Sequence, residues 1–476
     1  MRGFVLGLIF GVGLIIGGLH YLGYWKFENG SLRFASPIET GSCSNCTKSE
    51  GNPEKPASTE KNDRFQEINS LDKPIPQPGF SGLVRISHTE LIGVYDHKNY
   101  GYRDKNDNSF LKLSHFVENP ERSQCEPVFY EDDSDKKELR RGLPPIGVCS
   151  KEASWLHKIV ESDGGFSHVP LELVAPDPMK SDEIVLPSDL ESVCNLPVSG
   201  SSNPIIITAE ASYNRGGGDF GRLFQIELSD TKATIIGIAK LPEKWEMLNI
   251  DKPEAGNEKD QNKEEERNIW DVEGIICKWA EDGQDDIEPH KRDVSIVLAE
   301  RGNIEFKGGQ TPNTADRFTK IVRGGAKIEA NLVRLEPFSF ANGISDETAF
   351  ETNVFASTSI KGPLPRCATT PGEWRSVGEL HYDLETKNLY ASSTFEQKSR
   401  KDNQLCSTIY QICGDNNCNF DPFEINNDTK LGQSYLNVPF SENRFEGLTG
   451  GNGETLLTVS TENEDRDAGK LGYIIP

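Results

Sequence analysis

Apolar residues in this chain gather in short strand-length runs broken by Gly, Pro, Asn and Asp, with little long helical periodicity. Five stretches repeat one pattern: an apolar start carrying an acidic or small residue and usually Gly, then an apolar strand ending in acidic or hydroxyl residues. They read Phe80-Ser81-Gly82-Leu83 with Leu91–Asp96, and Leu190-Glu191-Ser192-Val193 with Ile205–Glu210. Next come Val272-Glu273-Gly274-Ile275 with Ser295–Glu300, and Val377-Gly378-Glu379-Leu380 with Leu389–Ser393. The last is Phe445-Glu446-Gly447-Leu448 with Leu456–Glu462. Recurring strand pairs of this kind mark a repeat architecture.

The second repeat displays a whole four-stranded meander: Asp189–Leu196, Pro204–Glu210, Gly221–Leu228 and Ala233–Leu241. Within it Arg222–Leu228 alternates with period two, the mark of a strand with one buried and one wetter face. The pattern predicts an all-β, five-bladed β-propeller over residues 78–476, with six blades as the alternative. Spacing between Glu191, Glu273, Glu379 and Glu446 exceeds the roughly 40–50 residues of a blade, so loops or a further blade must be inserted. Asp251–Asn268, almost wholly charged and polar, reads as one such mobile loop. A ring must close, and a strand between residues 27 and 78 is expected to complete the last blade. The run Leu32–Ala35 is one short alternation in that interval.

Phe4–Leu22 carries no charge and is long enough, at 1.5 Å per residue, to cross a bilayer core of about 30 Å. Arg2 precedes it, and Tyr21, Tyr24, Trp25 and Phe27 supply an interfacial belt. Residues 1–25 therefore read as a single-pass anchor that leaves the bulk of the chain extracytoplasmic, with a cleaved signal peptide and secretion as the alternative. No small-x-small site closes the apolar run, and Cys43 lies too far along for a lipoprotein signal. Gly3, Gly7 and Gly11, and again Gly13 and Gly17, share a helix face suited to dimerisation. Residues 26–77 read as a flexible linker.

A net charge of −24 argues against nucleic acid or anionic lipid as partners, which both require a basic footprint. The ten cysteines permit disulfides in an extracytoplasmic chain. Cys125 with Cys149, and pairs among Cys406, Cys413 and Cys418, are candidates; Cys194 and Cys277, inside apolar strands, read as buried thiols. Cys43 and Cys46 form an isolated CxxC without the second pair a zinc site needs.

The words Asp189-Leu-Glu-Ser192 with Ile-Thr-Ala-Glu210, Asp271-Val-Glu-Gly274 with Leu-Ala-Glu-Arg-Gly302, and Phe445-Glu-Gly447 resemble the esterase-like/phytase-like β-propeller families. The resemblance implies a propeller in an extracytoplasmic setting, and loosely a calcium-assisted phosphoester or ester hydrolase.

In a propeller the first strand of each blade lines the central channel, so Glu191, Glu273 and Glu446 are expected at equivalent places around it, with Ser81 in the first repeat. Glu379 is displaced by one residue and would turn to the other face. Converging carboxylates repel unless a cation or arginine satisfies them, which makes Glu191, Glu273 and Glu446 candidate Ca²⁺ ligands. The other reading has each Glu stapling backbone N–H groups of the next blade. Asp96, Glu210, Glu300 and Glu462 end second strands and form a second rim set, joined by His97 and Arg301. Asp96-His97-Lys98 combines an acid and a potential base. Asp104-x-Asn106-x-Asn108 and Asp415-x-Asn417-x-Asn419 begin like calcium loops, but His115 and Asn426 stand where the twelfth-position Glu belongs. No catalytic residue is assigned, and no basic cluster beyond Lys98 and Arg301 is evident for holding phosphate. A ligand- or protein-binding module is the favoured function, with the hydrolase as the alternative.

Overall fold

Each inner strand divides its side chains between two seams, and that division dictates the architecture. Ile206 and Phe224 join a cluster with Ile92 and Leu156, while their neighbours Ile205, Ile207 and Leu223 join one with Ile296 and Leu298. In the next sheet Ile275 faces the second cluster and Ile276 a third, with Leu380 and Leu389. A strand sandwiched on both faces is buried at every position, as Ile205–Glu210 is, including its polar Thr208 and Glu210. Arg222–Leu228, read as half wet, is likewise buried on both faces except at Glu227.

The computed structural model describes residues 25–28, 31–34, 65–95, 112–113, 155–210, 221–241, 272–306, 318–320, 330–365, 372–396, 405–440, 444–451, 457–462 and 469–474, apart from short gaps within these. The chain divides into two compact units, 1–49 and 50–476. In the first, Trp25–Glu28 pairs antiparallel with Ser31–Phe34. Asn29 and Gly30, the dipeptide that favours a two-residue hairpin turn, separate them in sequence. The anchor expected over 4–22 lies outside the described residues; among those described, no helix is long and apolar enough to cross a membrane.

The second unit holds five sheets, each built on a four-stranded antiparallel meander; in blade two, Glu172–Val174 and Phe350–Glu351 add parallel to Lys232–Lys240. Blade one is Gly82–Arg85, Glu90–Val94, Leu156–Ser162 and Gly165–Pro170; blade two is Leu190–Leu196, Ile205–Glu210, Arg222–Leu228 and Lys232–Lys240. Blade three is Val272–Trp279, Val294–Glu300, Ala330–Leu335 and Val354–Ile360. Blade four is Gly372–Asp383, Asn388–Glu396, Leu405–Cys413 and Gly432–Phe440, and blade five opens with Arg444–Gly450, Leu457–Glu462 and Lys470–Ile474. Its fourth strand is Phe65–Ile68, which pairs Tyr473 with Gln66 and Leu471 with Ile68. The ends of the unit are thus stitched into one sheet.

The innermost strands touch in cyclic order, one to two, two to three, three to four, four to five and five to one. Five hydrophobic clusters fill the five seams. The extra length between Glu273 and Glu379 is therefore no sixth blade. Part of it, Asn303–Phe306 with Phe318–Lys320, extends the inner edge of blade four.

Close approach at the hub explains the motif glycines. A Cβ on Gly82 would stand 2.8 Å from the Ser192 backbone, and one on Gly447 would stand 2.8 Å from the Leu83 Cβ. Because successive strands are antiparallel, the start of every first strand, the end of every second and the start of every third share one face. The long connections 95–155 and 241–271 join strand ends on that face.

Cys194 and Cys277, expected as buried thiols, form a disulfide across the seam between blades two and three. Cys413 pairs with Cys418, as sequence proximity suggested, and Cys406 is also disulfide-bonded.

Candidate functional site

The three motif glutamates are all bulge residues. Blade two pairs Ala209 with Ser192 and Glu210 with Leu190, passing over Glu191. Blade three passes over Glu273 between Val272–Glu300 and Gly274–Ala299, and blade five passes over Glu446 between Phe445–Thr461 and Gly447–Ser460. An extra residue in one strand re-aims its side chain and sharpens the local twist. All three carboxylates are buried.

Arginines meet the buried acids. Arg301 bonds Glu273 through both its Nε and a terminal nitrogen. Glu446 has Arg444 Nε at 3.0 Å and Arg375 Nη1 at 3.5 Å. Beside them, Arg222 grips Glu210 with two bonds of 2.6 and 2.8 Å and reaches Asp346 at 2.8 Å and the Val185 carbonyl at 3.0 Å. Burial alone would lower the Arg222 pKa; Asp346 and Glu210 reverse that and hold it above its ordinary value. Glu300 accepts from Asn331 Nδ2 at 2.6 Å. The basic counterpart that seemed missing from the sequence thus consists of Arg222, Arg301, Arg375 and Arg444. Arg222, Arg301 and Arg444 stand at or just beyond a strand end and Arg375 lies inside Gly372–Asp383; Arg301 and Arg444 are within two residues of a rim or motif glutamate.

Glu379 does not turn away from the hub. It takes the place that Gly82, Ser192, Gly274 and Gly447 hold elsewhere, and its Oε1 accepts from Ser192 Oγ at 2.6 Å and from its neighbour Leu380 N at 2.9 Å. Ser192 belongs to blade two and Glu379 to blade four, so this bond crosses the hub. Burial, with the charges of Glu273 and Glu446, pushes the Glu379 carboxyl well above the usual range.

Serine hydroxyls staple backbone groups of neighbouring blades. Ser81 Oγ donates to the Leu190 carbonyl at 2.7 Å, and Ser192 Oγ accepts from Ile275 N at 3.0 Å. Ser392 Oγ donates to Phe445 O, and Ser460 Oγ to Phe80 O, each at 2.9 Å. A small hydroxyl fits where strands crowd; the motif marks Ser81 as a channel-lining position, but not Ser392 or Ser460 as staples.

Among the rim set, Glu210, Glu300 and Arg301 share the face on which the glutamate bulges sit. Glu462 ends its strand in register with Arg444. Asp96 and His97 lie outside the described residues. On the opposite face Arg85 holds Glu161 with bonds of 2.9 and 3.1 Å and bonds Gly450 O and Thr458 Oγ1, each at 2.9 Å, closing the seam between blades five and one. Nearby His381 is pushed down to about 4, by burial first and by the Arg85 charge, against the pull of Asp383.

Calcium fits this hub poorly. A hard cation wants six to eight oxygens free of competing charge, whereas Glu273 and Glu446 each stand against arginine. No group of three or more His, Cys, Asp or Glu suited to a metal occurs among the described residues.

Neither a family model nor a curated protein matches this sequence. Eleven chains of solved structures match, three of them as follows. One is the Dos1 propeller, at 7% identity and TM-score 0.22, covering 67% of this chain and 62% of that one. The second is a glucose dehydrogenase, at 13% and 0.24, covering 68% and 94%. The third is MPT-1, a GDP-Man-dependent mannosyltransferase from Leishmania mexicana, at 8% and 0.21, covering 60% and 91%. At such identities and scores nothing about activity or ligand follows.

Proposed function

We propose that the chain is a membrane-anchored, extracytoplasmic β-propeller serving as a ligand- or protein-binding module. The reading rests on the hub: Glu273, Glu446 and Glu210 are buried and paired with arginine, which commits these carboxylates to the ring instead of a substrate. Binding capacity then falls to the face carrying the long connections. Disulfides support an oxidising compartment, and the apolar segment 4–22 supplies the anchor. The motif resemblance to phytase-like propellers leaves a calcium-assisted hydrolase as the competing activity.

A photo-cross-linking residue at Glu254, in the long connection after blade two, is compared with one at Leu384, in a turn on the opposite face. The binding reading expects one recurring partner at the first position and none at the second. It also expects the full chain in the membrane fraction and its release when residues 1–25 are removed. Equal cross-linking from both faces would contradict it. So would millimolar-Ca²⁺-dependent hydrolysis of p-nitrophenyl phosphate or acetate that Glu273→Gln abolishes.

A further inference from the structure

The hub contains a buried acid that the binding reading leaves unused. Glu379 is 1 % exposed and occupies a glycine position at the tightest part of the ring. Its Oε1 already takes two donors, Ser192 Oγ–H and Leu380 N–H. Its Oε2 is buried with no hydrogen-bond partner, and so is Oε2 of Glu273, whose charge Glu379 feels. Two buried, bare carboxylate oxygens in one charged cluster are costly, because each has been desolvated without compensation.

We propose that the hub binds one proton on Glu379 Oε2 and holds it through neutral pH, so that a neutral carboxylic acid ties blade four to blade two across the axis. The division of labour follows from the geometry. The oxygen that accepts two hydrogen bonds is the carbonyl oxygen of the acid, and the other carries the hydrogen. Around it stand Ser192 of blade two, with Glu191 beside it in the chain, Glu273 of blade three with Arg301, and Glu446 of blade five with Arg444 and with Arg375 from Glu379's own strand. Ser81 of blade one is engaged with Leu190 O. Arginines stand against Glu273 and Glu446, and the charges of those two glutamates oppose a further negative charge at Glu379. Ionising Glu379 would place an unpaired charge where the inner strands have no room to separate.

Linkage fixes the sign. The folded chain keeps a proton that the unfolded chain releases above about pH 4.5, so this group's contribution to stability is complete below that pH. It is lost as pH rises toward the folded value, and the ring tightens in acid and loosens in base.

The test compares wild type with Glu379→Gln, whose amide reproduces an acceptor oxygen and a donor without ionising. Denaturant titrations at a series of pH values should show the wild-type unfolding constant rising relative to the variant by up to tenfold per pH unit above about pH 4.5. Parallel curves across that range would overturn the proposal. If the variant does not fold, infrared spectra of native chain labelled at glutamate with ¹³C decide the matter. A protonated-carboxyl C=O band at pH 7 supports the proposal, and its absence sinks it.

Discussion

Replacing Cys194 and Cys277 together with alanine removes the covalent bridge between the inner strands of blades two and three. The two residues are separated by 83 positions, and no other described disulfide subdivides that span. The chain-entropy relation for a loop of that length gives about 4.5 kcal/mol of unfolded-state restriction at 25 °C. Both sulfurs lie in the cluster formed by Leu196, Ile205, Ile275 and Ile296, so truncation also leaves a small cavity. Loss of about 4–5 kcal/mol is expected, an appreciable part of the stability of any folded domain. Guanidinium unfolding of the full chain, followed by both fluorescence and circular dichroism, measures it. A five-bladed ring can open in stages, so coincidence of the two probes must be checked before one free energy is assigned. Adding reductant to wild type should lower its midpoint toward that of the double variant and leave the variant's own contribution from this seam unchanged. Two outcomes would refute the reasoning: alkylation of both thiols in the unreduced native chain, or a loss below about 1 kcal/mol.

Gly447→Ala forces a methyl group against Leu83 and Ser460 at the seam that closes the ring, and should destabilise by about 1–3 kcal/mol or more in thermal unfolding. Arg301→Met strands buried Glu273 and should cost about 3–5 kcal/mol, while Arg301→Met with Glu273→Gln should recover most of it; equal losses in both would show that the ion pair is not what matters. The depressed His381 pKa means the folded chain binds fewer protons than the unfolded one. Stability should therefore fall as pH drops from about 6.5 toward about 4, and His381→Asn should flatten that slope in denaturant titrations. An unchanged slope would remove His381 from the acid response.

Much of the architecture was legible because a repeated strand pair leaves a repeated string of residues. The meander of blade two can be drawn from its sequence to within a residue at each end. What escaped depends on register. A bulge at Glu191, Glu273 or Glu446 changes no residue type, so the aim of those side chains is invisible until the partner strand is known. The disulfide hid for a related reason. Each inner strand serves two seams, so Cys194 and Cys277 look like ordinary apolar positions. Val193 faces the seam with blade one and Cys194 the seam with blade three; in blade three Ile275 and Cys277 face back while Ile276 faces forward. Arg375 reaches Glu446 from 71 residues away, a distance over which sequence proximity gives no hint. Arg301, directly after Glu300, and Arg444, two residues before Glu446, carried the visible part of that signal.

The closed ring itself is tested most directly where the two ends of the propeller unit meet. Gln66 and Tyr473 are direct antiparallel partners, and such pairs stand at a Cα separation that a disulfide can span. In the full chain, Gln66→Cys with Tyr473→Cys should give a linked peptide by mass spectrometry after mild oxidation, and Gln66→Cys with Leu471→Cys should not. Failure of the first pair to link in a folded chain, or equal linking by both, would contradict a propeller closed by Phe65–Ile68.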